Sequence, residues 1–247
     1  MGQRLVTTRP GFKLNVNLAE WIGQHIYMTG NFEPATARLI TSLLHDGDIM
    51  IDVGANIGFF TLLASRKAGA SGKVFAFEPV PSTCAELKKN LSINGAINVA
   101  VKEIALSNVD GMATIYEGPV RNKGLSSLRP IDSAIDRQSV PMAAFDSLDI
   151  SKGPIHLVKI DVEGAEQLVV EGMMECLRRN RPPLVIEITD GFLRQFGHSG
   201  ESLCQTLRVL GYQMYEITDR GLISMSNEPA AWPRQFNAFF TVDPVLP

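Results

Sequence analysis

The chain has 247 residues, 45% hydrophobic and 20% charged, a composition that excludes disordered, collagen-like and low-complexity classes. Twenty-three Lys and Arg against 26 Asp and Glu leave a net charge of −3, which gives no electrostatic excess for a nucleic-acid backbone or an anionic membrane. Apolar runs such as IGFFTLLA stop well short of the roughly 20 residues of a bilayer span, and the start MGQRLVTTRP lacks the apolar core of a secretion signal, so a cytoplasmic protein is expected.

In chain order, FKLNVNLAEWIGQHIYMTG reads as a small strand-rich cap within residues 1–32, ahead of one domain over 33–247. EPATARLITSLLH reads as a helix with Pro34 in its first turn. From Asp48 onward short apolar runs alternate with helical stretches, the grammar of a parallel α/β sheet. DIMIDVGA is a buried strand, GFFTLLASRK a helix and KVFAFEP a strand. STCAELKKNLSINGA is a helix with Ser82 as N-cap and Gly95 at its end, and VAVKEIALS is a third strand. MATIYE and SVPMAAF read as two extra strands flanking the polar loop GPVRNKGLSSLRP, the best candidate for a segment that closes over a substrate.

The pattern resumes with strand IHLVKIDV, helix AEQLVVEGMMECLRR, strand PPLVIEIT and helix GESLCQTLRVLGY. YQMYEIT and FNAFFTV have no helix-length segment between them, which predicts an antiparallel pair at the sheet edge. The expected fold is α/β and Rossmann-like, a seven-stranded mostly parallel sheet with an antiparallel C-terminal strand and helices on both faces. Cys84, Cys176 and Cys204 are far apart and read as packed thiols, and His25, His45, His156 and His198 occur singly, so neither set suggests a metal site.

Three clusters carry the functional signal. IDVGANIGFF runs an apolar strand into a small-residue turn and a helix, with Asp52, Gly54, Asn56 and Gly58 in a GxNxG spacing suited to cradling a nucleotide-like ligand. A dinucleotide-binding GxGxxG would need glycine where Asn56 and Phe59 stand. Glu78 ends the second strand twenty positions after Gly58, where a carboxylate can accept from both ribose hydroxyls, and the third strand brings Ala105 and Leu106 to the edge where backbone groups can hold an adenine. LVKIDVEGAE places Lys159, Asp161, Glu163 and Glu166 at the carboxyl end of an apolar strand, where open α/β sheets bind ligands, with Lys159 and Asp161 on one face.

The GxNxG turn resembles the first motif of class I S-adenosylmethionine-dependent methyltransferases. With FEPVPSTCAELKKNLSINGA, GLSSL, FDSLD and above all KIDVEGAE, the stretch from about Gly30 to Glu187 closely resembles the FkbM family of methyltransferases. The resemblance implies S-adenosylmethionine as cofactor and methylation of a hydroxyl on a sugar, polyketide or related metabolite, with a small-molecule or glycan acceptor as the partner. Glu33, ahead of the first helix of the domain, is a weaker candidate for the cofactor's ammonium group. Ser126 and Ser127 could donate hydrogen bonds to the acceptor. Asp161, with Glu187 at the end of LVIEIT, could remove the hydroxyl proton. The two could act as a metal-free base neutralised by Lys159, or as ligands of Mg²⁺. The metal-free use is favoured because Lys159 would repel a dication, so no metal is expected. An NAD-dependent oxidoreductase and a non-catalytic cofactor-binding module are the alternatives. Asn56 and Phe59 speak against the first, and the charges of KIDVEGAE against the second.

Overall fold

The computed structural model describes residues 2–119, 126–130, 136–225 and 232–243. It opens with a hairpin of β1 (Gln3–Thr7) and β2 (Lys13–Asn17), followed by helix α1 (Trp21–Thr29). About half of the segment expected to be strand-rich is therefore helical. The Asn17 side chain turns the chain by accepting from Ala19 N–H and donating to Glu20, and Gly23 lets α1 press onto β2, since a Cβ there would lie 2.1 Å from Asn17 O. Phe12, Leu14, Val16 and Ile26 from this segment share one core with Phe59, Leu62 and Leu87 of the body.

The body consists of α2 (Pro34–Leu43), β3 (Ile49–Val53), α3 (Phe59–Ala68), β4 (Lys73–Phe77), α4 (Pro81–Asn94), β5 (Val99–Lys102), β6 (Ala105–Ser107), β7 (Gly111–Glu117), β8 (Asp136–Ala144), β9 (Leu157–Ile160), α5 (Glu166–Glu171), α6 (Met174–Asn180), β10 (Leu184–Thr189), α7 (Asp190–Gln195), α8 (Gly200–Val209), β11 (Gln213–Thr218), β12 (Gly221–Ser224) and β13 (Gln235–Thr241). Among the described residues eight strands form the main sheet in the order β12-β11-β13-β10-β9-β3-β4-β5. The five from β5 to β10 are parallel, and β13 runs antiparallel between β10 and β11. The seven expected strands are all present. The eighth, β12, is a short hairpin partner of β11 and adds an outermost strand beyond the expected antiparallel pair β11–β13, in which β13 lies inside, between β10 and β11.

Alternation along the strands divides the core between the two faces. Ile51, Val53, Val158, Ile160 and Ile186 pack with residues of α5, α6 and α8, whereas Met50, Leu157, Val185 and Phe239 pack with α2, α3 and α4. Asp52, Lys159 and Glu187, one alternation further along, therefore belong to the α3 face.

Several local expectations are corrected. VAVKEIALS is two strands, because the chain leaves the main sheet after Lys102 and β6 joins β8 and β7 in a separate three-stranded sheet. Helix α4 is capped by Val80 with Pro81 in its first turn, which moves Ser82 inside the helix. The predicted helix AEQLVVEGMMECLRR breaks into α5 and α6 around Gly172. That residue is pressed so closely on β6 that a Cβ would lie 1.9 Å from Ser107 O. Strand β1 and helix α7 were not anticipated.

The FDSLD segment has a structural task. Asp146 accepts the N–H groups of Glu175 (2.8 Å) and Cys176 (2.9 Å), satisfying two otherwise open donors at the start of α6. Asp146→Ala is expected to lower stability by about 2 kcal/mol, measured by urea denaturation, because it leaves both donors open.

Candidate active site

The glycine turn is held from three sides. Gly54 and Ala55 both donate to Phe77 O at 3.0 Å, Asn56 N–H donates to Glu78 Oε2 at 2.9 Å, and Glu78 Oε1 accepts from Val80 N–H at 3.0 Å. Asn56 sits at φ +50°, a left-handed conformation that asparagine tolerates better than other side chains, and its own Oδ1 accepts Ile57 N–H. The glycines are required by neighbouring protein. At Gly54 (φ +79°) a Cβ would lie 1.8 Å from Asp161 O, and at Gly58 (φ +95°) 2.5 Å from the Leu87 side chain. The turn is thus locked to β9 and α4, a reason the sequence alone did not reveal.

Glu78 is 6% exposed, and burial pushes its carboxyl up to about 7 against the two backbone N–H groups that favour the carboxylate. It lines a slot together with Ala105, Leu106, Ile115, Val80 and Ser126. Around Gly54, Asn56, Asp161 and Glu163 the slot meets a larger cavity of about 590 Å³, lined further by Glu33, Asp52, Lys159, Glu187 and an aromatic wall. In that wall Trp21 stacks on His25 at 5.5 Å between ring centroids, and Phe32 meets both edge-on.

At the floor, Lys159 is 3% exposed and forms an ion pair with Asp161 at 2.9 Å, its ammonium 4.8 Å from the centre of the Phe60 ring. Asp52 faces Lys159 across the β3–β9 register, bonds Thr61 through Oδ2 at 2.5 Å and leaves Oδ1 buried without a partner. Burial alone would depress the Lys159 ammonium, but Asp161, Asp52 and Glu33 together hold it above the ordinary lysine value. Burial likewise raises Asp52 and Glu33. Glu33 also bonds Asn237 at 3.0 Å.

Asp161, Glu163 and Glu187 bring carboxylate oxygens within 4.8 Å of one another. Burial, then the Asp161 charge, pushes Glu163 up to about 9 and Glu187 up to about 8. Glu187 accepts from Gln235 at 2.8 Å, and Glu163 Oε2 is buried without a partner.

The structure therefore brings together Glu33, Asp52, Gly54, Asn56, Glu78, Lys159, Asp161, Glu163 and Glu187 around the two adjoining spaces. Gly58 caps α3 just behind them. Ser126 lines the slot and accepts Gly118 N–H. Ser127 is buried, its hydroxyl 3.5 Å from Glu163 O. Residues 120–125 of the GPVRNKGLSSLRP loop, with Arg121 and Lys123, lie outside the described residues, and so does the expected closure of that segment.

Sequence reasoning missed the clamp at Glu166, which accepts Gly164 and Val162 N–H groups and turns the chain after β9. It also missed Gln235 and Asn237, which restrain Glu187 and Glu33. Their signal was two amides at alternate positions at the start of the otherwise apolar strand QFNAFFT.

The raised carboxyls set a pH dependence. Each binds its proton more tightly folded than unfolded, so its stabilisation is complete below the ordinary value of 4.5 and is lost as pH rises through about 8 to 9. The ligand-free protein is expected to lose thermal stability from about pH 5 to about pH 9. Glu187→Gln should raise Tm at pH 8 more than at pH 5 in thermal scans.

A model of the methyltransferase FkbM domain matches residues 52–214. Methyltransferase 1 of Beauveria bassiana is 27% identical over 188 residues, 68% of this chain and 71% of that protein. The hexuronic acid methyltransferase AglP of Haloferax volcanii is 30% identical over 146 residues, 59% of this chain and 58% of that protein. The structure of a Streptococcus mutans protein in complex with SAH superposes with a TM-score of 0.50 at 12% identity, covering 84% of this chain and 96% of that one. The fold is that of class I methyltransferases, with β12 added. The match over both the glycine turn and KIDVEGAE excludes the oxidoreductase alternative: the chain belongs to the FkbM family of methyltransferases.

Proposed function

We propose that the protein is an S-adenosylmethionine-dependent O-methyltransferase whose acceptor is a hydroxyl of a sugar or related metabolite. The observation that carries this reading is the pair of adjoining spaces with Gly54, Asn56, Asp161 and Glu163 as their common wall. In this reading the adenosine lies in the slot, its ribose on Glu78 and its adenine beside Ala105 and Leu106. The methionine part follows the turn from Gly54 to Gly58 toward Asp52 and Glu33. The buried, unpartnered Oδ1 of Asp52 and the excess of carboxyl groups over the single lysine in the cavity lining suit a cofactor that carries a sulfonium and an ammonium group. The similarity to AglP supports a sugar acceptor, and the aromatic wall supplies faces against which a sugar ring can pack.

When bound, S-adenosylmethionine supplies an electrophilic methyl group. The contribution of the chain is alignment and proton removal. Asp161, on the common wall, is the base that takes the hydroxyl proton of the acceptor; the cofactor, when bound, would give up the methyl carbon to that oxygen, the carbon–sulfur bond breaking with its electron pair left on sulfur. Lys159 holds the Asp161 carboxylate in place from below, and Glu187 and Glu163 stand beside it to hydrogen-bond the acceptor. The three carboxyl groups also offer oxygen donors of the kind Mg²⁺ takes. The ammonium of Lys159 at 2.9 Å from Asp161 disfavours a dication there, so metal-independent transfer is proposed.

Glu78→Ala is expected to weaken S-adenosylhomocysteine binding about ten- to a hundredfold in calorimetry, and an unchanged Kd removes Glu78 from the cofactor site. Asp161→Asn, once shown to be folded and to bind S-adenosylhomocysteine normally, should lose at least about a hundredfold in single-turnover methyl transfer, the contribution typical of a positioned base. Near-normal transfer would refute the base assignment. Loss of wild-type activity in EDTA with recovery in Mg²⁺ would refute the metal-free mechanism.

A further inference from the structure

Beyond Pro34, which lines both spaces, the cavity adjoins an open groove of about 610 Å³. Arg9, Arg38, Arg66 and Lys67 line this groove, and among the described residues no acidic one does. Four cations thus converge on one concave surface of a chain with net charge −3. They come from three elements: Arg9 from the turn of the β1–β2 hairpin, Arg38 from α2, and Arg66 and Lys67 from the last turn of α3. The dipole of α3 favours cations at its end and accounts for the last two, but not for Arg9 and Arg38.

The arginines are steered by neighbouring groups. Arg9 Nε donates to Thr29 O at 2.9 Å, Arg66 Nη1 to Gly11 O at 3.2 Å, and Arg38 is paired with the exposed Asp219 at 3.1 Å. A guanidinium has five N–H donors, so each keeps donors free for a ligand. The adjoining cavity is opposite in sign, with Glu33, Asp52, Asp161, Glu163 and Glu187 around the single cation Lys159 among its described lining residues.

We propose that this groove holds the phosphate-bearing end of the methyl acceptor, a glycosyl phosphate or diphosphate, while its uncharged hydroxyl-bearing ring enters the acidic cavity past Pro34. The inference rests on the methyltransferase reading above. Charge selects phosphate over carboxylate: with Arg38 already paired to Asp219, a single carboxylate would offset one of the other three cations, whereas a diphosphate offsets more than one and presents oxygens that match arginine forks. The acidic floor repels the anionic end and so fixes which way round the acceptor enters.

The test is calorimetric titration of inorganic pyrophosphate into the full chain at about 50 and about 200 mM salt. Wild type should bind pyrophosphate, more weakly at the higher salt. The double reversal Arg66→Glu, Lys67→Glu should weaken binding at least about tenfold with the Kd for S-adenosylhomocysteine unchanged. If the reversal lowers Tm, Lys67→Ala, which removes no hydrogen bond among the described residues, should still weaken pyrophosphate measurably. The groove assignment is overturned if pyrophosphate does not bind, if its binding ignores both substitutions, or if sodium glucuronate binds as tightly. Tighter binding of an RNA of about 20 nucleotides would replace it with a nucleic-acid site. Failure of S-adenosylhomocysteine to bind wild type would instead strike the methyltransferase reading, so the two failures are distinguishable.

Discussion

A lysine ammonium that is 3% exposed cannot stand without compensation, and the carboxyl end of the sheet is arranged around that requirement. Asp161 meets Lys159 two residues along the same strand, Asp52 faces it across the β3–β9 register, and Glu33 adds a third negative charge from the start of α2. Phe60 closes the remaining side with its ring. Removing one partner from such a buried pair typically costs about 3–5 kcal/mol, because the other charge is stranded. Packing Phe60 over Lys159 fixes α3 on this face of the sheet. The helix in turn fixes where the glycine turn ends.

The second constraint is closeness of backbones. Asp161 O occupies the place of a side chain at Gly54, so the ends of β3 and β9 stay in direct contact, reinforced by Asp161 N–H donating to Val53 O at 3.0 Å. Glu78 ties the same turn to β4 and to the start of α4 with one carboxylate. In the proposed mechanism the base and the cofactor turn therefore belong to one rigid unit. Holding two reactants at fixed distance is where most of the advantage of an enzyme over free solution arises in a reaction whose leaving group is already good.

The parallel core was legible because its strands are short apolar runs separated by helix-length segments, and the site was legible because charges interrupt those runs only at one end, in IDVGAN, FAFEP and KIDVEGAE. Elements set by contacts distant in sequence were not legible. The break at Gly172 is made by Ser107, sixty-five residues away, and the cap of α6 by Asp146, which no local pattern within MECLRRN announces. Alpha-helix α1 was read as strand because Ile22, Ile26 and the aromatic residues suit either period over so short a stretch. The outermost strand β12 was missed because its four residues are below the length at which alternation carries information.

The excess of carboxyl groups over the single lysine gives the cavity a charge state that depends on what occupies it. Empty, it relieves the repulsion by retaining protons on Glu163 and Glu187, pushed up to about 9 and about 8. A cationic ligand favours the ionised forms, so its binding is coupled to proton release, and by linkage it binds more tightly as pH rises through the same range. S-adenosylmethionine would carry one more positive charge here, on its sulfonium, than the demethylated product. With the uncharged sulfur the carboxyl groups would favour their protons, and the cavity would hold the product less tightly than the substrate cofactor. The same unpaired carboxyl groups that lower the stability of the empty protein at high pH would thus distinguish methylated cofactor from spent cofactor by a single charge.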